Sequence, residues 1–98
     1  MRYYPINLDI QNRNVLVVGG GGVGTRKVRT LLACGARVTV VSLEASRQLG
    51  DLATSGEIIL EKRSYQSDDL SGMFLVIGAT NDEKLNRQIS GDADRLNT

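Results

Sequence analysis

Residues Val15 to Gly24 read V-L-V-V-G-G-G-G-V-G, and few folds accommodate such a run. The apolar stretch suits a strand covered on both faces, and a helical pattern starts directly after the glycines. The glycines must therefore turn the chain from strand to helix within a few residues. Gly19 allows the tight turn, Gly21 lets backbone come close to a phosphate, and Gly24 lets the helix pack near the sheet. At the helix start, unpaired N–H groups and the dipole favour negative charge. Strand, G-x-G-x-x-G and helix in this order form the cradle that holds a dinucleotide pyrophosphate.

The remaining sequence alternates strands and helices. Asn14 to Val18 is the first strand. Val23 to Ala33 is a helix with Val28, Leu31, Leu32 and Gly35 at helical spacing on its buried face, while Arg26, Lys27 and Arg29 point elsewhere. Gly35 is placed to stop it. Arg37 to Val41 is a second, β-branched strand. A second helix runs from Glu44 to Thr54 on Ala45, Leu49, Leu52 and Ala53, closed by Ser55-Gly56. Glu57 to Lys62 is a third strand, and Ser67 to Gly72 is a polar turn with Leu70 tucked inward. Phe74 to Ile77 is a fourth strand, leading through Gly78-Ala79-Thr80-Asn81 into a helix over Asp82 to Leu96. That helix carries Leu85, Ile89 and Ala93 on one side and is weakened by Gly91. Thr80 or Asn81 is the expected cap. Tyr3 to Ile10 reads as a short edge strand or an extended arm after Pro5.

Right-handed crossovers join these strands into one Rossmann-like, doubly wound, mostly parallel sheet, a three-layer α/β/α domain over residues 1–98. The expected strand order is 3-2-1-4, with the topological switch between strands 1 and 4. A ligand there meets the glycine loop on one side and Gly78 to Asn81 on the other, where the Thr80 hydroxyl and nearby backbone are candidate donors. A plain strand-to-helix turn is the alternative for that segment. Glu44 lies about twenty residues after Gly24, near where an acid commonly accepts from a ribose 2′-hydroxyl. It could equally be a helix-start residue stabilised by the dipole. Arg26 and Lys27 either raise the local potential for phosphate or form a solvated face.

Composition narrows the chemistry. A net charge of +1 gives no reason to expect nucleic acid or an anionic membrane as partner. No apolar run reaches the eighteen or so residues that span a bilayer, and the N-terminus has no signal-peptide pattern, so a cytoplasmic protein is expected. The chain has no histidine, which removes imidazole acid–base chemistry and the usual imidazole metal sites, and no metal site is expected. Cys34, the single cysteine, reads as a small apolar residue near a helix end.

Four segments together resemble a known family: Tyr4-Pro5-Ile6-x-Leu8-Asp9, Gly19-Gly20-Gly21-x-Val23 running into Arg26-Lys27, Gly35-Ala36-x-Val38-Thr39-Val40-Val41, and Ile77-Gly78-Ala79-Thr80-Asn81-Asp82. In this order they are similar to the precorrin-2 dehydrogenases, which form the N-terminal part of siroheme synthases. The Arg-Lys pair and the Ala79-Thr80-Asn81-Asp82 turn are more discriminating than the glycines. The resemblance implies NAD as cofactor and oxidation of precorrin-2 to sirohydrochlorin, with ferrous iron insertion in some members. It implies cofactor contacts at Gly22 and Val23 for the pyrophosphate, at Leu43 and Glu44 beside the adenosine, and at Thr80 across the crevice, alongside Gly19, Gly21 and Gly24 of the loop. No arginine suited to a 2′-phosphate follows the second strand before Arg47.

The family also carries a carboxylate suited to base chemistry in an Asn-x-x-Asp stretch after the next strand. The expectation is therefore that the base lies beyond Thr98, that this chain is a fragment of a longer polypeptide, and that it turns over weakly or not at all. The full-length family is homodimeric through a region after the Rossmann domain, and the fragment is expected to be monomeric. Asp9, Asp82 and Glu83 are more simply solvated or capping residues. Two alternatives carry the same glycine loop: an NAD(H)-sensing regulatory domain of a channel or transporter, and the cofactor half of an unrelated dehydrogenase. The Pro5-to-Asp9 arm and the Thr80-Asn81-Asp82 turn favour the precorrin-2 reading.

Overall fold

A computed structural model describes residues 8–96. Its elements are β1 (Asn14–Val18), α1 (Gly22–Ala33), β2 (Arg37–Val41), α2 (Arg47–Thr54), β3 (Ile58–Glu61), a 3-10 turn (Ser67–Leu70), β4 (Leu75–Gly78) and α3 (Glu83–Leu96). All strand pairs are parallel and the order is β3-β2-β1-β4. Val15 pairs with Val38 on one side and Leu75 on the other, and Val17 with Val40 and Ile77. This is the Rossmann-like three-layer arrangement that the strand–helix alternation implies.

The unbroken apolar character of β1 follows from its position. Side chains alternate across the sheet, so Val15 and Val17 meet Val28 and Leu31 of α1 and Leu49 of α2. Leu16 and Val18 face the opposite layer, with Leu70 of the 3-10 turn and Ile89 and Ala93 of α3. Both faces are covered, so neither admits a polar residue. The first two helices end alike. Gly35 and Gly56 take positive φ, and the N–H groups of Ala36 and Glu57 reach back to the carbonyls of Leu31 and Leu52.

Several local expectations need correction. α2 begins at Arg47 rather than Glu44, because the Ser46 hydroxyl caps it by accepting from the Leu49 N–H at 3.2 Å. The cap of α3 is Asp82 rather than Thr80 or Asn81, since its carboxylate accepts from the Leu85 N–H at 3.2 Å. β4 lies one residue later than its apolar run, because register with β1 extends to Gly78. Gly35 is exposed past the helix end and does not join the buried face of α1, and Cys34 is the exposed cap of that helix. α3 continues through Gly91 to Leu96, held by Ile89 and Ala93. Of the anticipated N-terminal strand or arm, residues 3–7 lie outside the described residues; Ile10 is buried in the first layer. Among the described residues no helix is long and apolar enough to cross a membrane.

Candidate functional site

The C-terminal ends of β1 and β4 exit side by side, and the glycine loop forms where they separate. Gly19 adopts φ +126°, and a Cβ there would sit 2.5 Å from the Ala79 carbonyl oxygen. A Cβ on Gly24 would fall 2.1 Å from the Gly19 oxygen, so α1 rests directly on the loop. The sequence spacing assigned no role to Gly20, yet its Cβ would lie 2.3 Å from the Glu44 oxygen. The segment between β2 and α2 folds over it, and its carbonyl accepts the Ser46 N–H at 2.8 Å. The only trace of this in the sequence is that the glycines run unbroken from 19 to 22. Gly21 alone of these has nothing within 4 Å of its Cβ position and opens onto free space.

That space is a crevice of about 480 Å³ bordered by residues 19–23, Ser42, residues 44–46 and residues 79–81. Gly21 is the N-cap of α1, no side chain caps the helix, and its first turn holds no acidic residue. The first N–H groups of a helix have no intrahelical acceptor, so those of Gly22 and Val23 are available here together with the positive end of the dipole. The donor set and the open approach at Gly21 suit a pyrophosphate.

A hydroxyl chain sets the wall against the floor of this crevice. The Thr25 hydroxyl donates to the Gly21 carbonyl at 2.7 Å and lies 2.8 Å from the Ser46 hydroxyl. Because the single Thr25 proton goes to Gly21, Ser46 is the donor in that second contact. The Ser46 oxygen then accepts from Leu49.

A second cavity of about 650 Å³ adjoins the crevice on the α3 side of the sheet and shares Gly19, Ser42, Glu44 and Thr80 with it. Residues 41–44, residues 63–65 and the start of α3 complete its walls. Leu43 is 71% exposed there, an apolar side chain with little else to cover. The Arg63 guanidinium forms a two-pronged pair with Asp69, at 2.6 and 2.9 Å, and Asp69 also accepts from the Gln66 N–H at 2.8 Å. The Arg63 bond holds the Asp69 carboxyl below the usual carboxylate range, outweighing the opposing effect of burial. Deeper, the Tyr65 hydroxyl donates to Asp92 at 2.8 Å, and buried Asp92 also takes Arg95. Burial first, and then that bond, push the Tyr65 hydroxyl above its ordinary value.

The structure thus brings Gly19, Gly21, Gly22, Val23, Glu44 and Thr80 to one crevice, with Leu43 in the adjoining cavity. Gly24 is buried behind it and serves packing. Glu44 lies three positions before the first residue of α2, outside its first turn, which removes its helix-start reading. Thr80 stands across the crevice with its hydroxyl bonded to Asn86 and Asp82. Arg26, Lys27 and Arg29 are exposed on α1, and the Arg26 guanidinium lies 3.6 Å from the Cβ position of Gly22 at the helix start. Sequence reasoning missed Gly20, Ser46, Arg63 and Tyr65. Among the described residues no group of three His, Cys, Asp or Glu side chains could hold a metal ion.

Comparison with known proteins agrees with this geometry. A family model described as "Putative NAD(P)-binding" matches residues 6–98. The siroheme synthase of Ectopseudomonas mendocina is 47% identical over 93 residues, which is 95% of this chain and 20% of that protein. The siroheme synthase of Pseudomonas putida is 46% identical over 96 residues, 98% of this chain and 21% of that protein. This chain therefore spans about a fifth of the length of these relatives. A solved structure titled "SirC, precorrin-2 dehydrogenase" superposes with a TM-score of 0.83 at 33% identity, covering 90% of this chain and 44% of that one. With residues 6–98 matched, the chain belongs to this NAD(P)-binding family and is a relative of siroheme synthases and of a precorrin-2 dehydrogenase.

Proposed function

We propose that this chain is the NAD-binding part of a precorrin-2 dehydrogenase in siroheme biosynthesis, which oxidises precorrin-2 to sirohydrochlorin. The observation that carries the reading is an open, uncapped α1 N-terminus at the switch point of a chain 33% identical to a precorrin-2 dehydrogenase. Gly22 and Val23 N–H groups hold the pyrophosphate, with Gly19, Gly21 and Gly24 shaping the loop. Leu43 and Glu44 flank the adenosine and Thr80 faces it across the crevice. Bound NAD+ supplies a hydride acceptor. The Glu44 carboxylate accepts from the ribose 2′-hydroxyl and repels a 2′-phosphate, which selects NAD+ over NADP+.

Oxidation of precorrin-2 also releases a proton to a base. We assign that base, the homodimer contact and any ferrous iron insertion to the longer polypeptide, following the family resemblance, and take the isolated chain as a monomer in a cytoplasmic setting. The test compares NADH formation from precorrin-2 by this chain and by the polypeptide extended past Thr98, with calorimetric titration of NAD+ into both. Binding by both and turnover by the extended protein alone supports the proposal. Binding without turnover by either transfers the chain to an NAD(H)-sensing role.

A further inference from the structure

The larger cavity holds a side chain that no comparison assigns. Arg63 follows β3, lines that cavity, and is 42% exposed although both of its terminal nitrogens are engaged. Its NH1 and NH2 groups are paired edge-on with Asp69, whose side chain is only 10% exposed and is fixed by the Gln66 N–H. NH1 also donates to the Ser64 carbonyl at 3.2 Å. Three anchors therefore fix the guanidinium plane, while part of the side chain remains open to the cavity.

This arrangement discriminates between ligands. A lone arginine at a cavity mouth attracts phosphate through its charge and its forked donors. Here Asp69 already occupies that fork and offsets the charge. What remains is a flat, weakly hydrated cationic face, which suits stacking on a planar aromatic ring. Leu43 lines the same cavity and offers an apolar surface. Tyr65, anchored through its hydroxyl to Asp92, fixes the segment that carries Arg63 to α3.

We infer that Arg63, held in place by Asp69, stacks on the purine base of the bound nucleotide and so determines affinity at its adenosine end. The inference rests on the proposed NAD site, and the experiment separates the two. Binding of ADP-ribose and of inorganic pyrophosphate to the 98-residue chain is followed by backbone amide NMR titration, with thermal unfolding as the check on folding. Arg63→Ala lowers ADP-ribose affinity about tenfold and leaves pyrophosphate shifts at Gly22 and Val23 unchanged. Arg63→Lys keeps the charge without the plane and behaves like Arg63→Ala. Asp69→Asn, which loosens the clamp without touching the ligand, gives a smaller loss of about threefold.

Wild-type affinity for ADP-ribose in folded Arg63→Ala overturns the inference and leaves the NAD site standing. Full affinity in Arg63→Lys overturns it in favour of charge attraction. An equal loss for pyrophosphate overturns it in favour of a general structural role. If the wild-type chain binds neither probe, the proposed NAD site and this inference fail together.

Discussion

The same substitution at two helical glycines is expected to act with opposite sign. Gly24 lies in the first turn of α1 and Gly91 in the middle of α3. Helix propensity favours alanine over glycine by about 1 kcal/mol at an interior position. At Gly91 nothing lies within 4 Å of the added carbon, so that gain stands alone. Gly91→Ala should therefore raise Tm by roughly 4–8 °C in a domain of this size. At Gly24 the added carbon would lie 2.1 Å from the Gly19 oxygen, against a closest normal approach of about 3.0 Å. That oxygen is backbone, and the Gly19 carbonyl carbon lies 2.9 Å from the same position, so no flexible side-chain tip can move aside. α1 must instead retreat by nearly 1 Å, which opens a gap under fully buried Val28 and nearly buried Leu31. Gaps of that size forfeit a quarter to a half of each dispersion contact. Overpacking costs about 1–3 kcal/mol, and the opened gap puts this site at the upper end. Net of propensity, Gly24→Ala should destabilise the chain by about 2 kcal/mol. Urea unfolding followed by helical circular dichroism measures both variants. A neutral or stabilised Gly24→Ala would refute the packing role given to Gly24.

Other outcomes follow from the site. Thr25→Val keeps shape but removes both hydroxyl contacts, so urea unfolding should show a loss of about 1–2 kcal/mol and NAD+ titration a weaker fit. Glu44→Ser should narrow the ratio of NAD+ to NADP+ affinity, measured by calorimetry on the same preparation. At alkaline pH, Tyr65 holds its proton more tightly folded than unfolded. Its contribution is therefore complete below the unfolded value of about 10 and is lost as pH rises past it, and Tyr65→Phe should flatten that alkaline limb of the stability curve. Asp69 acts in the opposite direction. Its lowered folded value gives stability that is present above the ordinary carboxylate range and lost as pH falls, so Asp69→Asn should flatten the acid limb.

The parts of this fold that were legible in the sequence are those fixed by local chemistry. β1 is a continuous apolar run from Val15 to Val18 and β2 is β-branched from Val38 to Val41 because the sheet is covered on both faces, and Gly35 and Gly56 mark helix ends because only glycine takes their positive φ cheaply. The start of α2 was hidden. Ala45 falls in helical register with Leu49 and Leu52, yet the preceding segment is pinned to the Gly20 carbonyl and the Thr25 hydroxyl, contacts no window of sequence reveals. Most of the crevice was legible because its residues follow strand ends. Arg63 and Tyr65 were not, because a polar turn reads the same whether or not its side chains find partners. Tyr65 meets Asp92 across 27 residues, a distance at which spacing carries no information.

The one-way hydroxyl chain from Ser46 through Thr25 to Gly21 has a kinetic consequence. It joins the first turn of α1 to that of α2, and the Ser46 N–H joins both to the glycine loop. Floor and wall are thus set during folding, before a nucleotide arrives. Little conformational freedom remains to be lost at the phosphate end, so association there should be a single encounter-limited phase with no slow rearrangement behind it. Affinity at that end is then tuned through the rate of departure.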